Sequence, residues 1–338
     1  MCGVETTIQM CGISKLRRYL KKTIENHGFI KTQKYLERWG LAYIFELPAS
    51  ITNNLQTMDN FNNIRQTHLA LTQFYRWYQV YEIPFNQARI NNQLDILADD
   101  VEISSTNGTM KGKDLLSERL KVYEGWLNAH HVNKTDVSQI DDNTLSLEAD
   151  ILYQNIRPDQ SKYSYTIHYS TLLQLRDNDL PLFKIVNLQP TANVENPSFE
   201  EAYTINRAKS FMHYWLYCIE TAYGNADKFK ELLADQFELY LSTSGLIKTF
   251  EAFELWIKSI SERVTIAGHT PKNFVASKID DKIISVKVNF EWQGLSADNK
   301  KMIAETEHNW ILENNPDERF ARIKEMKVKQ VIPFQIVE

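Results

Sequence analysis

Two long blocks of this chain share one order of hydrophobic patterns: helical spacing first, alternation of apolar and polar residues afterwards. In the first block, Leu71, Phe74, Tyr75, Tyr78 and Tyr81 fall on one side of a helix predicted over about 64–81; in the second, Phe211, Met212, Trp215 and Ile219 do so over about 205–223. A short second helix follows in each. Strands are then predicted at 101–104 and 237–241, and amphipathic helices at 113–128 and about 249–262. Residues 144–155 and 283–293 alternate as strands with one buried face do. Asp141-Asp142-Asn143 and Asp280-Asp281-Lys282 are the turns before them. Further strands are expected at 163–175 and 302–312. Helices grouped first and a meandering sheet afterwards indicate an α+β domain, made twice.

The two blocks are copies. LADDVEISSTNG at 97–108 is answered by LADQFELYLSTSG at 233–245, and QIDDNTLSLEADILYQ at 139–154 by KIDDKIISVKVNFEWQ at 278–293. A period of about 135 residues is too long for a solenoid and suits a whole small domain. The expected layout is a helical extension over 1–60, a first domain over 61–192, a linker over 193–204 and a second domain over 205–338. In the extension, Ser14 caps a predicted helix carrying Leu16, Tyr19, Leu20 and Ile24, which Gly28 ends. Lys15, Arg17, Arg18, Lys21 and Lys22 give that helix a basic face.

A net charge of -5 argues against nucleic acid as a partner. No apolar run is long enough to span a bilayer, which makes a membrane partner unexpected, and no signal-peptide pattern opens the chain. Cys2, Cys11 and Cys218 have neither zinc-site nor redox-motif spacing, so a reduced, cytoplasmic setting is expected. Neither a metal nor a cofactor is called for: His130 and His131 are adjacent and point to opposite faces of a strand, and no phosphate-cradling glycine loop is present.

The order and wording of these elements resemble the nuclear transport factor 2-like superfamily, especially its SnoaL-like branch. The residues that carry the likeness are Leu97-Ala98-Asp99-Asp100-Val101, Lys111-Gly112-Lys113-Asp114, and Ala129-His130-His131-Val132-Asn133 running on to Asp141-Asp142. The second copy keeps Leu233-Ala234-Asp235, Gly268-His269 and Ile279-Asp280-Asp281. It departs at Gln236 and at Thr249, where the family glycine would fall. The resemblance covers about 61–192 and 202–338. It implies tandem cones, each a curved antiparallel sheet wrapped around three helices with a pocket inside. Members of the superfamily include cyclases, dehydratases, isomerases, hydrolases and pure binding proteins, so the fold does not choose among reactions.

Counting from the matched turns, His130 falls opposite His269 and His168 opposite His308. Imidazoles inside an enclosed cone are candidate general acids and bases near neutral pH. The pattern sets no carboxylate beside them. Glu148 and Asp150 face away from Leu147, Ala149 and Ile151; Glu305 and Glu307 face away from His308 and Trp310; and Asp99 and Asp100 read as turn residues. Tyr75, Tyr78, His213, Tyr217 and Trp310 are the candidate pocket residues, against the plainer reading of an aromatic core stripe. The leading expectation is a protein whose cones bind a small apolar or aromatic molecule. The alternative is a cofactor-independent lyase, isomerase or hydrolase of SnoaL-like type, with pocket histidines as acid and base. A non-catalytic scaffold, forming a pseudo-dimer within one chain or a homodimer, is the third.

Overall fold

A computed structural model describes residues 49–337 apart from 178, 196, 197 and 243. The basic helix expected in the extension therefore lies outside the described residues. The chain divides into two units, Met1–Asn62 and Asn63–Glu338. Of the first, only the opening turns of the long helix α1 (Ala49–Glu82) are described.

The second unit holds two six-stranded sheets. After α1 come α2 (Gln87–Gln93), β1 (Leu97–Ser105), β2 (Gly108–Lys111), α3 (Asp114–Leu120), β3 (Leu127–Asp141), β4 (Thr144–Ile156), β5 (Lys162–Arg176) and β6 (Asp179–Asn193). The second half repeats this as α4 (Tyr203–Thr221), a 3-10 turn (Asp227–Glu231), β7 (Leu233–Leu241), β8 (Gly245–Ile247) and α5 (Phe250–Ser261). It closes with β9 (Val264–Asp280), β10 (Ile283–Ser296), β11 (Lys301–Glu313) and β12 (Arg322–Ile336). The sheet orders are β2-β1-β6-β5-β4-β3 and β8-β7-β12-β11-β10-β9. Neighbours are antiparallel except β1 with β6 and β7 with β12, which run parallel. The fold is α+β, two cones in one chain.

Each sheet buries one face against its own long helix. In the first cone Phe74 meets Tyr169 edge-on and Trp77 packs on Phe183, over a floor of Leu145, Leu147, Ala149 and Ile151. In the second, Phe211 and Trp215 lie over Phe290, Trp310 and Phe253. Register shifts in the ladders, as between Val132 and Lys134 and between Lys287 and Asn289, mark bulges that bend long strands.

Three local expectations change. The helix expected over 113–128 stops at Leu120, because a 3-10 turn (Lys121–Tyr123) and Gly125 at positive φ carry the chain into β3. Asp99 and Asp100 are strand residues rather than turn residues, paired with Lys113 and Lys184. The second cone has a 3-10 turn where the first has α2, so it carries two α-helices and not three. Thr249 stands where a glycine was expected because its hydroxyl caps α5, accepting from the Ala252 amide at 3.2 Å.

The long helices α1 and α4 join the cones. Glu82 meets Asn206, Gln79 meets Arg207, Thr72 meets Ser210 and His68 meets His213, so the contacts run in opposite directions along the two helices. The side chains of all four pairs are buried, and each pair places a hydrogen bond across the seam, although Gln79 Nε2 and Arg207 Nε stay without a partner.

Candidate active site in the second cone

The ladders fix which residues of the two copies correspond. His130 pairs with Tyr153 and His269 with Trp292, so these histidines are equivalents. His308, however, pairs with Val288, and the residue in its place in the first copy is Tyr169, opposite Ala149. Matching His168 to His308 was one residue out, and a slip of one residue on a strand exchanges its faces. His168 lies on the outer face, 40% exposed, with Nδ1 at 2.8 Å from Asp150 and Nε2 at 3.0 Å from Glu148. The Asp150 hydrogen bond, followed by the charges of both carboxylates, raises its pKa. It belongs to a surface ion cluster.

The absence of carboxylates beside the inner histidines is also corrected. Glu82, at the end of α1, accepts both the backbone N–H of His130 at 2.8 Å and contacts its Nδ1 at 3.1 Å. Glu220, in the last turn of α4, does the same for His269, at 2.7 Å and 3.0 Å. An acidic residue in the last turn of a helix opposes the helix dipole, and both copies put one there. That placement was the sequence signal: Glu82 precedes His130 by 48 residues and Glu220 precedes His269 by 49. Periodicity did not expose it, because the pairing crosses from a helix end to a distant strand.

The twin dyads sit in different surroundings. His130 stacks on Tyr78 at 4.5 Å and leans on Tyr153 at 4.8 Å, beside a cavity of only about 110 Å³. Burial pushes its imidazole down to about 3 and pushes the Glu82 carboxyl up to about 8, the Asn206 and His130 hydrogen bonds offsetting only part of the latter. His269 instead lines a cavity of about 390 Å³. Burial works to raise Glu220, but His68 and His269 outweigh it and hold this carboxyl below its ordinary range. A carboxylate there fixes the His269 proton on Nδ1 and leaves the lone pair on Nε2.

The size difference follows from a few side chains. Tyr78, Tyr81, Tyr165 and Tyr169 of the first copy correspond to Leu216, Ile219, Ala304 and His308, so four phenol rings give way to smaller groups. The resulting cavity has aromatic walls in Trp215, Trp256, Trp292 and Phe334. Its polar lining residues are Ser242, Arg263, His269, Thr306, His308 and Gln330. Trp310 Nε1 donates to His308 Nδ1 at 3.3 Å, and His308 Nε2 lies 3.0 Å from the Thr306 hydroxyl. That network assigns the His308 proton to Nε2 and frees the Thr306 hydroxyl hydrogen for the cavity. Burial, with His269 adding to it, lowers His308 to about 3 and keeps it neutral.

Solved structures similar to this chain each cover about two fifths of it. A hexachlorocyclohexane dehydrochlorinase (LinA, type 2) aligns at 12% identity and TM-score 0.34, over 40% of this chain and 87% of its own. A protein with a cystatin-like fold from Caulobacter vibrioides aligns at 10% and 0.33, over 38% and 91%. A nuclear transport factor 2-like superfamily protein from Salmonella enterica serovar Typhimurium LT2 aligns at 8% and 0.32, over 36% and 85%. No family model and no curated protein matches the chain. Likeness this distant carries no chemistry with it, and the reading of the site rests on its own residues.

None of the five expected pocket residues lines the larger cavity. Tyr75 and His213 are buried between α1 and α4, Tyr78 is packed on His130, and Trp310 is core beneath His308. Tyr217 is partly buried with Lys228 over its ring at 5.1 Å. The α4 stripe that does face the cavity, Trp215, Leu216 and Ile219, lies one step around the helix. Among the described residues no three His, Cys, Asp or Glu side chains are grouped to hold a metal, and no helix is long and apolar enough to cross a membrane.

Proposed function

We propose that the second cone takes a small, largely apolar molecule with a flat ring, and that His269 acts on it as a general base. The observation that carries this reading is the asymmetry of the dyads: the Glu220–His269 pair opens on a cavity of about 390 Å³, whereas its twin is walled in by tyrosines. Glu220 orients the imidazole, and Nε2 takes a proton from a substrate carbon. In one course the C–H electron pair forms a double bond as a group on the neighbouring carbon leaves with its bonding pair; in the other the pair is delocalised onto a conjugated carbonyl oxygen of the substrate, and the imidazolium returns the proton at another carbon. The first outcome is a lyase and the second an isomerase. The Thr306 hydroxyl, accepting from His308, donates to a substrate oxygen as charge develops on it. On this reading the first cone is the non-catalytic half of a pseudo-dimer built within one chain, with 193–204 as its linker.

A second reading, ligand binding without turnover, draws on one specific observation. The same glutamate–histidine tie exists in the first cone, beside a cavity of only about 110 Å³, so the tie by itself fastens a strand to a helix end. The two readings separate by proton exchange. The full chain is incubated in D2O with a panel of cyclic ketones and aryl-substituted carbon acids, and both binding and C–H exchange are followed by NMR. General-base action predicts exchange that falls by about 100-fold or more in His269→Gln and persists in His168→Gln. Panel members that bind without exchanging, in a wild type that is fully folded, establish the binding reading.

A further inference from the structure

The dyad of the second cone is not built by the second copy alone. His68, on α1 of the first copy, reaches across the helix seam. Its Nε2 lies 3.1 Å from the carbonyl oxygen of His269 and 3.5 Å from Glu220 Oε1. Its Nδ1 lies 3.0 Å from His213 Nδ1 on α4. Its side chain is buried, as is that of Glu220. With His68 neutral, its Nε2–H donates to the His269 carbonyl with Glu220 Oε1 at longer range, and its Nδ1 accepts from His213 Nδ1–H.

The repeat supplies an internal comparison. The place of His68 is taken in the other copy by Asn206, which does the corresponding work for the first cone. Its Nδ2 donates to Glu82 Oε1 at 3.0 Å, to Glu82 Oε2 at 3.1 Å and to the His130 carbonyl at 3.0 Å. Each copy thus hands one side chain to the other's glutamate and to the carbonyl of the other's histidine. The exchange is unequal. The walled-in cone receives an amide, which cannot take up a proton, and the open cone receives an imidazole, which can.

We propose that His68 is a positioning residue for the site in the second cone, so that the working centre is the trio His68–Glu220–His269 drawn from both copies. His68 holds Glu220 Oε1 in line with His269 Nδ1 and anchors the strand that carries His269. The titratable and charged groups that face this trio are Arg65 on the same helix, His213 and Lys209 on α4, and His308 on β11, the last acting through His269. Burial lowers the Lys209 pKa, and the Lys209 charge, after burial and His68, is one of the influences that lower His213. The proposal rests on the reading of His269 as the site's base, but its test does not.

The test is imidazole 15N NMR on the full-length chain across pH, with the His269 signals assigned by substitution. Wild type is expected to show neutral His269 with its proton on Nδ1. His68→Leu removes the contact to Glu220. The Glu220 carboxyl then rises toward the state of Glu82, its hold on the Nδ1 proton weakens, and neutral His269 is expected as a mixture of both tautomers. His68→Asn, which copies the arrangement at Asn206, keeps a donor to the His269 carbonyl and serves if the leucine variant fails to fold. It is expected to give the same mixture with less of the Nε2–H form. A folded variant whose His269 tautomer equals that of wild type overturns the proposal. A changed tautomer in a protein that exchanges no substrate proton keeps the positioning role while removing the base reading.

Discussion

The rings of Tyr75 and His213 lie parallel, 4° apart in plane with centroids separated by 5.8 Å. The two residues are equivalents in the repeat, so one position in two copies meets itself across the seam. Contacts on either side run outward in matched pairs and end at the two glutamates. The duplication therefore produced a self-complementary joint, as a two-fold interface between separate chains does. Differences between the copies accumulated around it.

We expect that joint to make the cones unfold as one cooperative unit. Arg207 is fully buried in it, donating to Gln79 Oε1 at 2.9 Å and to the carbonyls of Arg319 and Asn315 at 2.8 Å each. Replacing it by Met would remove the donor from Gln79 Oε1 and from the Arg319 carbonyl, while the Asn315 carbonyl keeps the Glu318 amide at 3.1 Å. We expect Arg207→Met to cost about 3 kcal/mol and to lower a single calorimetric transition. Two separated transitions, one of them unmoved, would show that the cones unfold independently.

The walled-in dyad sets a pH dependence. Burial raises the Glu82 carboxyl to about 8 in the folded chain, whereas an unfolded glutamate ionises near ~4.3. Between those values the folded state holds a proton that the unfolded state has lost. Its contribution to stability is fully present below the unfolded value and is lost as pH rises through the folded one, at up to about 1.4 kcal/mol per pH unit. Glu82→Gln removes this titration. Urea unfolding at pH 5, 6, 7 and 8 should show the variant gaining on wild type at each step; parallel curves would exclude a neutral Glu82.

Much of the architecture was legible in the chain because it is written as periodicity. The alternation at 144–155 and 283–293 gave strands within a few residues of β4 and β10, and the aromatic stripes gave the helix cores. Two features of the site escaped for separate reasons. Two strands and one or two helices separate the carboxylates from their histidines in sequence, so no local pattern links Glu82 to His130 or Glu220 to His269. The match of His168 to His308 failed by a single residue, because turn lengths were counted where only hydrogen-bonded ladders fix register. On α4 the pocket candidates failed by their place around the helix: His213 is buried against Tyr75 and Tyr217 lies under Lys228, while Trp215, Leu216 and Ile219 face the cavity.

Gly294 has a packing role that its strand position alone does not suggest. A Cβ built there would sit 2.7 Å from the Trp292 indole and 2.9 Å from the Ile266 carbonyl oxygen. The first copy has Asn155 at this place, beside a smaller Tyr153. Gly294→Ala must therefore push the indole off the wall and strain β9, at a cost of about 1–3 kcal/mol. Because Trp292 packs edge-on against Phe334 at 4.8 Å, its fluorescence should change with the substitution. An alanine variant with wild-type stability and emission would show that the strand yields freely.

The openness of the second cone should be transferable, because it resides in so few side chains. Ala304 shares a strand face with Met302 and Thr306, both of which line the cavity, and its equivalent in the first copy is Tyr165. Ala304→Tyr puts a phenol into existing space rather than into a packed core, so we expect stability to change by less than about 1.5 kcal/mol. Any ligand of the second cone should lose at least about tenfold in affinity, since a ring-sized volume is removed from its site. The reverse change, Tyr165→Ala, deletes a partly buried ring in the first cone and should cost about 3 kcal/mol. Xenon or benzene binding, followed by NMR, reads both changes. Gain of uptake at His130 in Tyr165→Ala, together with loss of uptake at His269 in Ala304→Tyr, is the expected pair of results. Unchanged uptake at His269 in a folded Ala304→Tyr protein would show that the cavity is bounded by other residues.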